Sequence, residues 1–300
     1  MRVRKVSKTN ILQEHYFDYN GLVDTNVLVD LLFNKNKFNS DLLIISAFFS
    51  DEVVEKFLSV NKNTKTKFFF RLKPRDFIDK SASFKGLELL IAENKEVFFN
   101  PRLHSKLYLF DNSLLFSGSA NFTKKGLGLV PSANIENLFA SQVSENDLDF
   151  IQSIFKESSQ LDELKLTMMK KMIDDFDDND LKNNEIPEFW PRPFNEKIEG
   201  LLVTDFPNIY DSKIDLINSR PYQWLYKTLL DNENNEIYFG ELTSLLHNEL
   251  IEDPMPYRST IKSLLEDFLI ILKNTDTSDI TFEVPNHSKK IFLKQKKKGN

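Results

Sequence analysis

The residues best suited to chemistry lie between positions 104 and 121: His104, Lys106, Asp111, Gly118, Ser119 and Asn121. They read His-x-Lys, four residues, Asp, six residues, then Gly-Ser-x-Asn. A neutral imidazole can attack phosphorus and form a covalent phosphohistidine. The Lys106 ammonium, the Ser119 hydroxyl and the Asn121 amide can all donate hydrogen bonds to non-bridging phosphate oxygens, where negative charge grows in the transition state. Such chemistry requires no metal and no cofactor. Alternation along a strand places His104, Lys106, Tyr108 and Phe110 on one face and Leu103, Ser105, Leu107, Leu109 and Asp111 on the other. The run Ser113–Ser117 reads as the neighbouring strand, with Asp111–Ser113 as the hairpin turn. Gly118 then lets the chain bend, bringing Ser119 and Asn121 towards the His–Lys face. A lone strand histidine is ordinarily a half-buried structural residue, and Gly-Ser-x-Asn alone is an ordinary turn. The combined spacing is what points to a site.

This pattern resembles the HKD signature of the phospholipase D superfamily. Its extended form, Gly118-Ser119-Ala120-Asn121-Phe122-Thr123, looks most like the nuclease branch, since phospholipase members more often separate the Ser and Asn by two residues. The motif covers about residues 100–140, and the order of upstream elements extends the likeness over most of 1–155. The resemblance implies that His104 is nucleophile or acid and that Lys106, Ser119 and Asn121 bind phosphate. Asp111 and Gly118 would be structural. It also implies that Glu136, on a following strand in Asn134–Phe139, orients the imidazole through Nδ1.

The family reaction uses two histidines, one attacking phosphorus and the other protonating the leaving oxygen and then activating water. Here the motif occurs once. His15, His247 and His287 are not followed by the remaining Lys, Asp and Gly-Ser-x-Asn positions. The resemblance therefore implies a homodimer that shares one active site across a two-fold axis. A heteromeric partner carrying the second motif is the alternative.

The elements that must position these residues can be read along the chain. Thr25–Phe33 has helical spacing, and Asp41–Phe49 is an apolar run suited to a strand buried on both faces. Ser50 reads as the N-cap of a helix over Asp51–Val60. Strands are expected over Lys67–Leu72 and Val97–Asn100, with a helix over Ser83–Asn94 between them. Asp147–Gln160 is predicted helical, and the helical pattern continues from Leu161 to Met172. The resulting fold class is α/β: a phospholipase D-like mixed-sheet sandwich over residues 1–160. A helical and acidic linker is expected over 161–195, where Asp174–Asp180 lacks the glycine and terminal glutamate of a calcium loop. A smaller, mostly helical, winged-helix-like domain is expected over 196–300. Its pattern is three helices (Tyr222–Leu230, Phe239–Leu250, Tyr257–Lys273) and a hairpin around Pro285–Ser288. That pattern would put Arg258 and Lys262 near a recognition helix and Lys289 and Lys290 on a wing, for contact with DNA or a partner.

Composition narrows the setting. The chain has 300 residues, no cysteine and a net charge of −6, which excludes a disulfide framework and a Cys-based zinc site. Residues 1–150 carry 20 Lys+Arg against 18 Asp+Glu, and the remainder 19 against 27, so the half with the motif is close to neutral. Basic residues do cluster at Lys62–Arg75 and Lys289–Lys298, and Lys124 and Lys125 follow the motif within reach of a flanking phosphate. No stretch approaches the roughly 20 apolar residues of a membrane span, so a cytoplasmic, membrane-independent protein is expected. Together these readings predict a dimeric, metal-independent DNA endonuclease. The layout resembles phospholipase D-type restriction endonucleases, or a nuclease subunit of an antiviral complex with an ATPase or helicase partner. A lipid phosphodiesterase or phosphatidyl transferase is the rival, and predicts a membrane-facing anchor that the sequence does not display.

Overall fold

The computed structural model describes residues 20–34, 41–176, 186–197, 199–207, 216–251, 258–275, 278–285 and 288–294. The chain divides into two compact units, one of residues 1–186 with 194–197, the other of 187–193 with 198–300.

The first unit is built on an eight-stranded mixed sheet. Its order is β1 (Gly21–Val23), β7 (Leu138–Gln142), β6 (Leu114–Gly118), β5 (Leu107–Phe110), β2 (Asp41–Ser46), β3 (Lys65–Phe70), β4 (Glu96–Phe99) and β8 (Ser159–Gln160). Strands β2, β3 and β4 run parallel, and the other neighbours pair antiparallel. The helices are α1 (Thr25–Phe33), α2 (Asp51–Asn61), α3 (Pro74–Ile78), α4 (Phe84–Ala92), α5 (Glu145–Glu157) and α6 (Glu163–Asp174).

Phenylalanine fills both faces of this sheet. On one, Phe57 of α2 meets Phe68 edge-on at 5.6 Å and Phe122 at 6.0 Å, while Phe49 stacks on Phe70 at 4.1 Å. On the other, Ile45, Phe69, Phe98, Leu103, Leu107, Leu109 and Leu115 bury against Ile154 and Phe155 of α5. Each such side chain contributes about 1.5–3 kcal/mol on full burial. Covering both faces is why β2 and β5 read as continuous apolar runs.

Several boundaries differ from expectation. The strand expected over Asp41–Phe49 ends at Ser46, because the Ser46 hydroxyl donates to the Phe48 carbonyl at 2.6 Å and turns the chain. Ser50 has the extended backbone of an N-cap, but its side chain makes no capping bond. The helix expected over Asp147–Gln160 stops at Glu157, and Ser159–Gln160 pair with β4 as an edge strand. Helix α6 then restarts behind Asp162, whose carboxylate accepts from the Lys165 amide at 2.8 Å. This helix buries Leu166 and Met169, so the described residues of 161–176 pack with the first unit rather than forming a linker. Part of the acidic run, 177–180, lies outside the described residues.

In the second unit the order is α7 (Arg220–Asp231), β9 (Glu236–Tyr238), α8 (Phe239–Glu249), α9 (Arg258–Lys273), β10 (Ile280–Glu283) and β11 (Lys290–Leu293). The three helices and the hairpin stand where the apolar spacing puts them, in the order helix–strand–helix–helix–hairpin. Strand β9, too short to show periodicity, adds to the hairpin as its third strand in the order β10-β11-β9. Leu225, Leu229, Leu242, Leu246, Leu265, Phe268, Ile280 and Ile291 form the core of this unit.

Candidate active site

The motif gathers where β2 and β3 end and β5 begins. Leu107 is the first residue of β5 to pair with β2, opposite Ile45, and it also pairs with Ser117 of β6. His104–Lys106 were expected within the strand but precede it. Beyond Ile45 the β2 chain has turned away at Ser46, so nothing pairs with them on that side, while the Lys106 carbonyl still accepts from the Gly118 amide at 3.3 Å. The alternation survives: Leu103, Leu107 and Leu109 share one core, and Tyr108 and Phe110 are buried on the opposite face.

Each polar residue has a distinct setting. His104 is exposed, and its imidazole has no hydrogen-bond partner among the described residues. The Lys106 charge, then partial burial, then the charges of Arg71 and Lys73 hold its pKa below the usual 6.5. These effects favour the neutral ring, whose nitrogen lone pair a nucleophile needs. Lys106 is only 8% exposed and donates to the His104 carbonyl at 2.6 Å. Desolvation and the Arg71 charge lower its pKa, and the Glu136 carboxylate opposes them.

Asn121 is fixed from below. Its Oδ1 accepts from the Phe48 amide at 3.2 Å and lies 3.3 Å from the Ser46 hydroxyl oxygen, whose proton goes to the Phe48 carbonyl. The Phe122 amide donates to the same Ser46 oxygen at 2.9 Å. With the carbonyl oxygen engaged, the amide NH2 has no partner among the described residues and is left to donate. The buried Tyr108 hydroxyl donates to the Ala120 carbonyl at 2.9 Å, and burial followed by the Glu136 charge pushes its pKa up, so it remains a donor. Ser46, Phe48 and Tyr108 are supports that the motif alone does not reveal; the only sequence signal is a polar residue closing the apolar run Leu42–Ile45.

Ser119 donates to Glu136 through a short hydrogen bond and accepts from the Asn137 amide at 3.1 Å. Glu136 also accepts from Asn134 Nδ2 at 2.9 Å. Glu136 therefore belongs to the cluster, but it precedes β7 rather than lying on a strand, and it holds Ser119 instead of the imidazole of its own chain. Gly118 serves a close approach rather than a bend: a Cβ there would sit 2.0 Å from the Asn137 carbonyl oxygen. Asp111 and Asn112 take left-handed φ of 49° and 52° in the hairpin turn, a conformation these residue types tolerate. Asp111 accepts from the Asp41 amide at 3.2 Å and its own amide donates to the Asp41 carbonyl at 2.8 Å, tying the turn to β2.

The outer basic residues are less uniform. Lys124 is paired with Glu52, and Lys125 is exposed. In the second unit, Lys262 is exposed and Arg258 opens α9, its side chain lying outside the described residues. Lys289 pairs with Glu266 at 3.1 Å and Lys290 with Glu236 at 2.6 Å, so both hairpin ammonium groups already have carboxylate partners. His15, His287 and 295–300 also lie outside the described residues.

A neutral imidazole beside a half-desolvated ammonium, a hydroxyl and a free amide, at the end of an α/β sheet, is equipment for phosphoryl transfer. Residues 23–159 match the family model described as cardiolipin synthase, PLD-like domain, so this part of the chain is a phospholipase D-like domain. Among solved structures it is similar to Nuc, a phospholipase D family member from Salmonella typhimurium, at 16% identity and a TM-score of 0.37, over 47% of this chain and 95% of that one. It is similar to NucT from Helicobacter pylori at 16% identity and 0.32, over 46% and 93%. It is also similar to a phosphatidylserine synthase from Haemophilus influenzae at 13% and 0.33, over 53% and 43%. No curated protein matches the chain.

Proposed function

We propose that this chain is a metal-independent endonuclease that hydrolyses DNA phosphodiester bonds, in the setting of restriction or antiviral defence. The observation that carries the reading is the convergence of His104, Lys106, Ser119 with Glu136, and Asn121 at one end of the sheet. A neutral imidazole nitrogen of one His104 attacks phosphorus, forming the N–P bond as the P–O bond to the leaving strand breaks. The second histidine of the site donates the proton that the leaving oxygen takes up, then removes one from the water that cleaves the phosphohistidine. Lys106 and the Asn121 amide stabilise the charge on the non-bridging oxygens.

One motif per chain makes the second histidine a second copy's His104. A surface beside the site supports the homodimer: Ile135, next to Glu136, is fully exposed, and the cross-strand partners Leu22 and Phe139 are exposed on the sheet edge. The second unit, with exposed Lys262 on α9, would recognise or position the DNA, and an ATPase or helicase partner would deliver it where the small basic footprint does not suffice. Among the described residues no helix is long and apolar enough to cross a membrane.

The test is cleavage of plasmid DNA, single-stranded DNA, RNA oligonucleotides and phosphatidyl lipid vesicles in excess EDTA. The expected outcome is DNA cleavage that survives EDTA and falls by at least about 10³-fold in His104→Ala. Loss of wild-type cleavage in EDTA sinks the metal-free mechanism, equal cleavage by the variant sinks the site, and turnover of lipid alone selects the rival reading.

A further inference from the structure

We propose that Arg71 is a second phosphate-binding group of this site, holding the phosphate next along the strand from the scissile one, and that Asp76 is the positioning residue that aims it. The inference rests on the phosphodiesterase reading and narrows it to a polynucleotide. A phosphatidyl headgroup ordinarily presents one phosphodiester, and cardiolipin two, whereas a nucleic-acid strand repeats its phosphate at every nucleotide.

Arg71 leaves the end of β3, beside the end of β2. Its guanidinium is gripped along one edge by Asp76, through Nε at 3.0 Å and a short bond from Nη2. The Asp76 carboxylate is itself immobilised: its side chain is 2% exposed and it accepts from the Lys73 amide at 2.9 Å. The Arg71 side chain remains 21% exposed, and the Nη1 donors have no partner among the described residues. A fork held on one edge and open on the other is the arrangement in which arginine meets an oxyanion.

One residue links this fork to the motif. Arg71 lies over the Phe48 ring, 4.6 Å from its centroid, and the amide of the same Phe48 fixes Asn121. The approach to His104 is anchored at the same place, since the Asn100 amide donates to the Phe70 carbonyl at 3.0 Å and the Leu103 amide to the Asn100 carbonyl at 2.9 Å. Between Arg71 and Lys73, the fully buried Leu72 adopts a left-handed φ of 47°, a conformation that costs free energy and that folds retain where geometry matters. The Arg71 charge also reaches both His104 and Lys106, lowering the pKa of each.

Calorimetric titration of the full-length protein with thymidine 5′-monophosphate and thymidine 3′,5′-bisphosphate tests this. The bisphosphate is expected to bind at least about tenfold more tightly than the monophosphate, and Arg71→Gln to abolish that gain. Arg71→Gln leaves Asp76 buried and unpaired, so the double variant Arg71→Met/Asp76→Asn, which removes both charges, is measured beside it and is expected to lose the gain too. Equal affinity for the two ligands in the wild type, or a gain that survives in either variant that folds, overturns the second phosphate site. A parallel titration of Lys106→Met separates the two readings. Monophosphate binding that depends on Lys106 without any bisphosphate gain defeats only the inference; no binding, or binding indifferent to Lys106, defeats the phosphodiesterase reading and the inference with it.

Discussion

The neutral form of the His104 imidazole is favoured by its neighbours' charges. Lys106, Arg71 and Lys73 disfavour the imidazolium, so the pKa lies below 6.5 and the neutral form persists into mildly acidic solution. Removing a cation must move the pKa up. In an NMR titration of the ring protons, the His104 resonance is expected to titrate below pH 6.5 and to shift upward in Lys106→Met. The acidic limb of kcat/KM reports the free enzyme and should shift upward likewise in Arg71→Gln. An unchanged His104 titration in Lys106→Met would refute the electrostatic account. Glu136 teaches a different lesson at this scale. Its place in the cluster was legible from the family pattern, but its partner was not, because Ser119, just past the end of β6, meets the carboxylate only once the chain is folded.

At the scale of elements, the site depends on β6 and β7 staying in tight contact. Gly118 allows the Asn137 carbonyl to approach, and that residue's backbone also exchanges bonds with Ser119. Gly118→Ala forces the strands apart, at a cost of about 1–3 kcal/mol typical of overpacking. Urea denaturation should show that loss, and activity should fall further than stability because Ser119 and Glu136 move with the strand ends. Wild-type stability in Gly118→Ala would mean that the contact is not obligatory. Most elements of the first unit were legible because their apolar runs are long. The misreadings fall where a single hydrogen bond overrides a pattern: Ser46 ending β2, Ser159–Gln160 leaving the helix to pair with β4, and β9 too short to carry a period.

At the scale of the whole molecule, the proposed shared site rests on the single motif per chain. If two copies of His104 share a site, wild type mixed one-to-one with His104→Ala and allowed to exchange subunits retains about a quarter of the activity of the same total amount of wild type, by random pairing of a symmetric dimer. Independent sites would retain about half. Sedimentation should report a dimer, and a fully active monomer would exclude the shared site. Ile135→Glu, at the exposed position beside Glu136, is expected to weaken self-association and activity together, measured by sedimentation and cleavage on the same preparation.

The residue types and spacings between His104 and Asn121 pointed by themselves to a reaction at phosphorus, because such a reaction needs a nucleophile and donors whose identity is written in the side chains. The apolar runs likewise determined an α/β unit followed by a smaller helical one, since burial period is a property of the chain. Only the tertiary structure decided what surrounds the motif: that Ser46 and Phe48 hold Asn121, that Glu136 holds Ser119, and that Arg71, distant in sequence, is held by Asp76 where its charge reaches His104. Those contacts join segments dozens of residues apart, and their geometry follows from how the strand ends converge rather than from any local pattern.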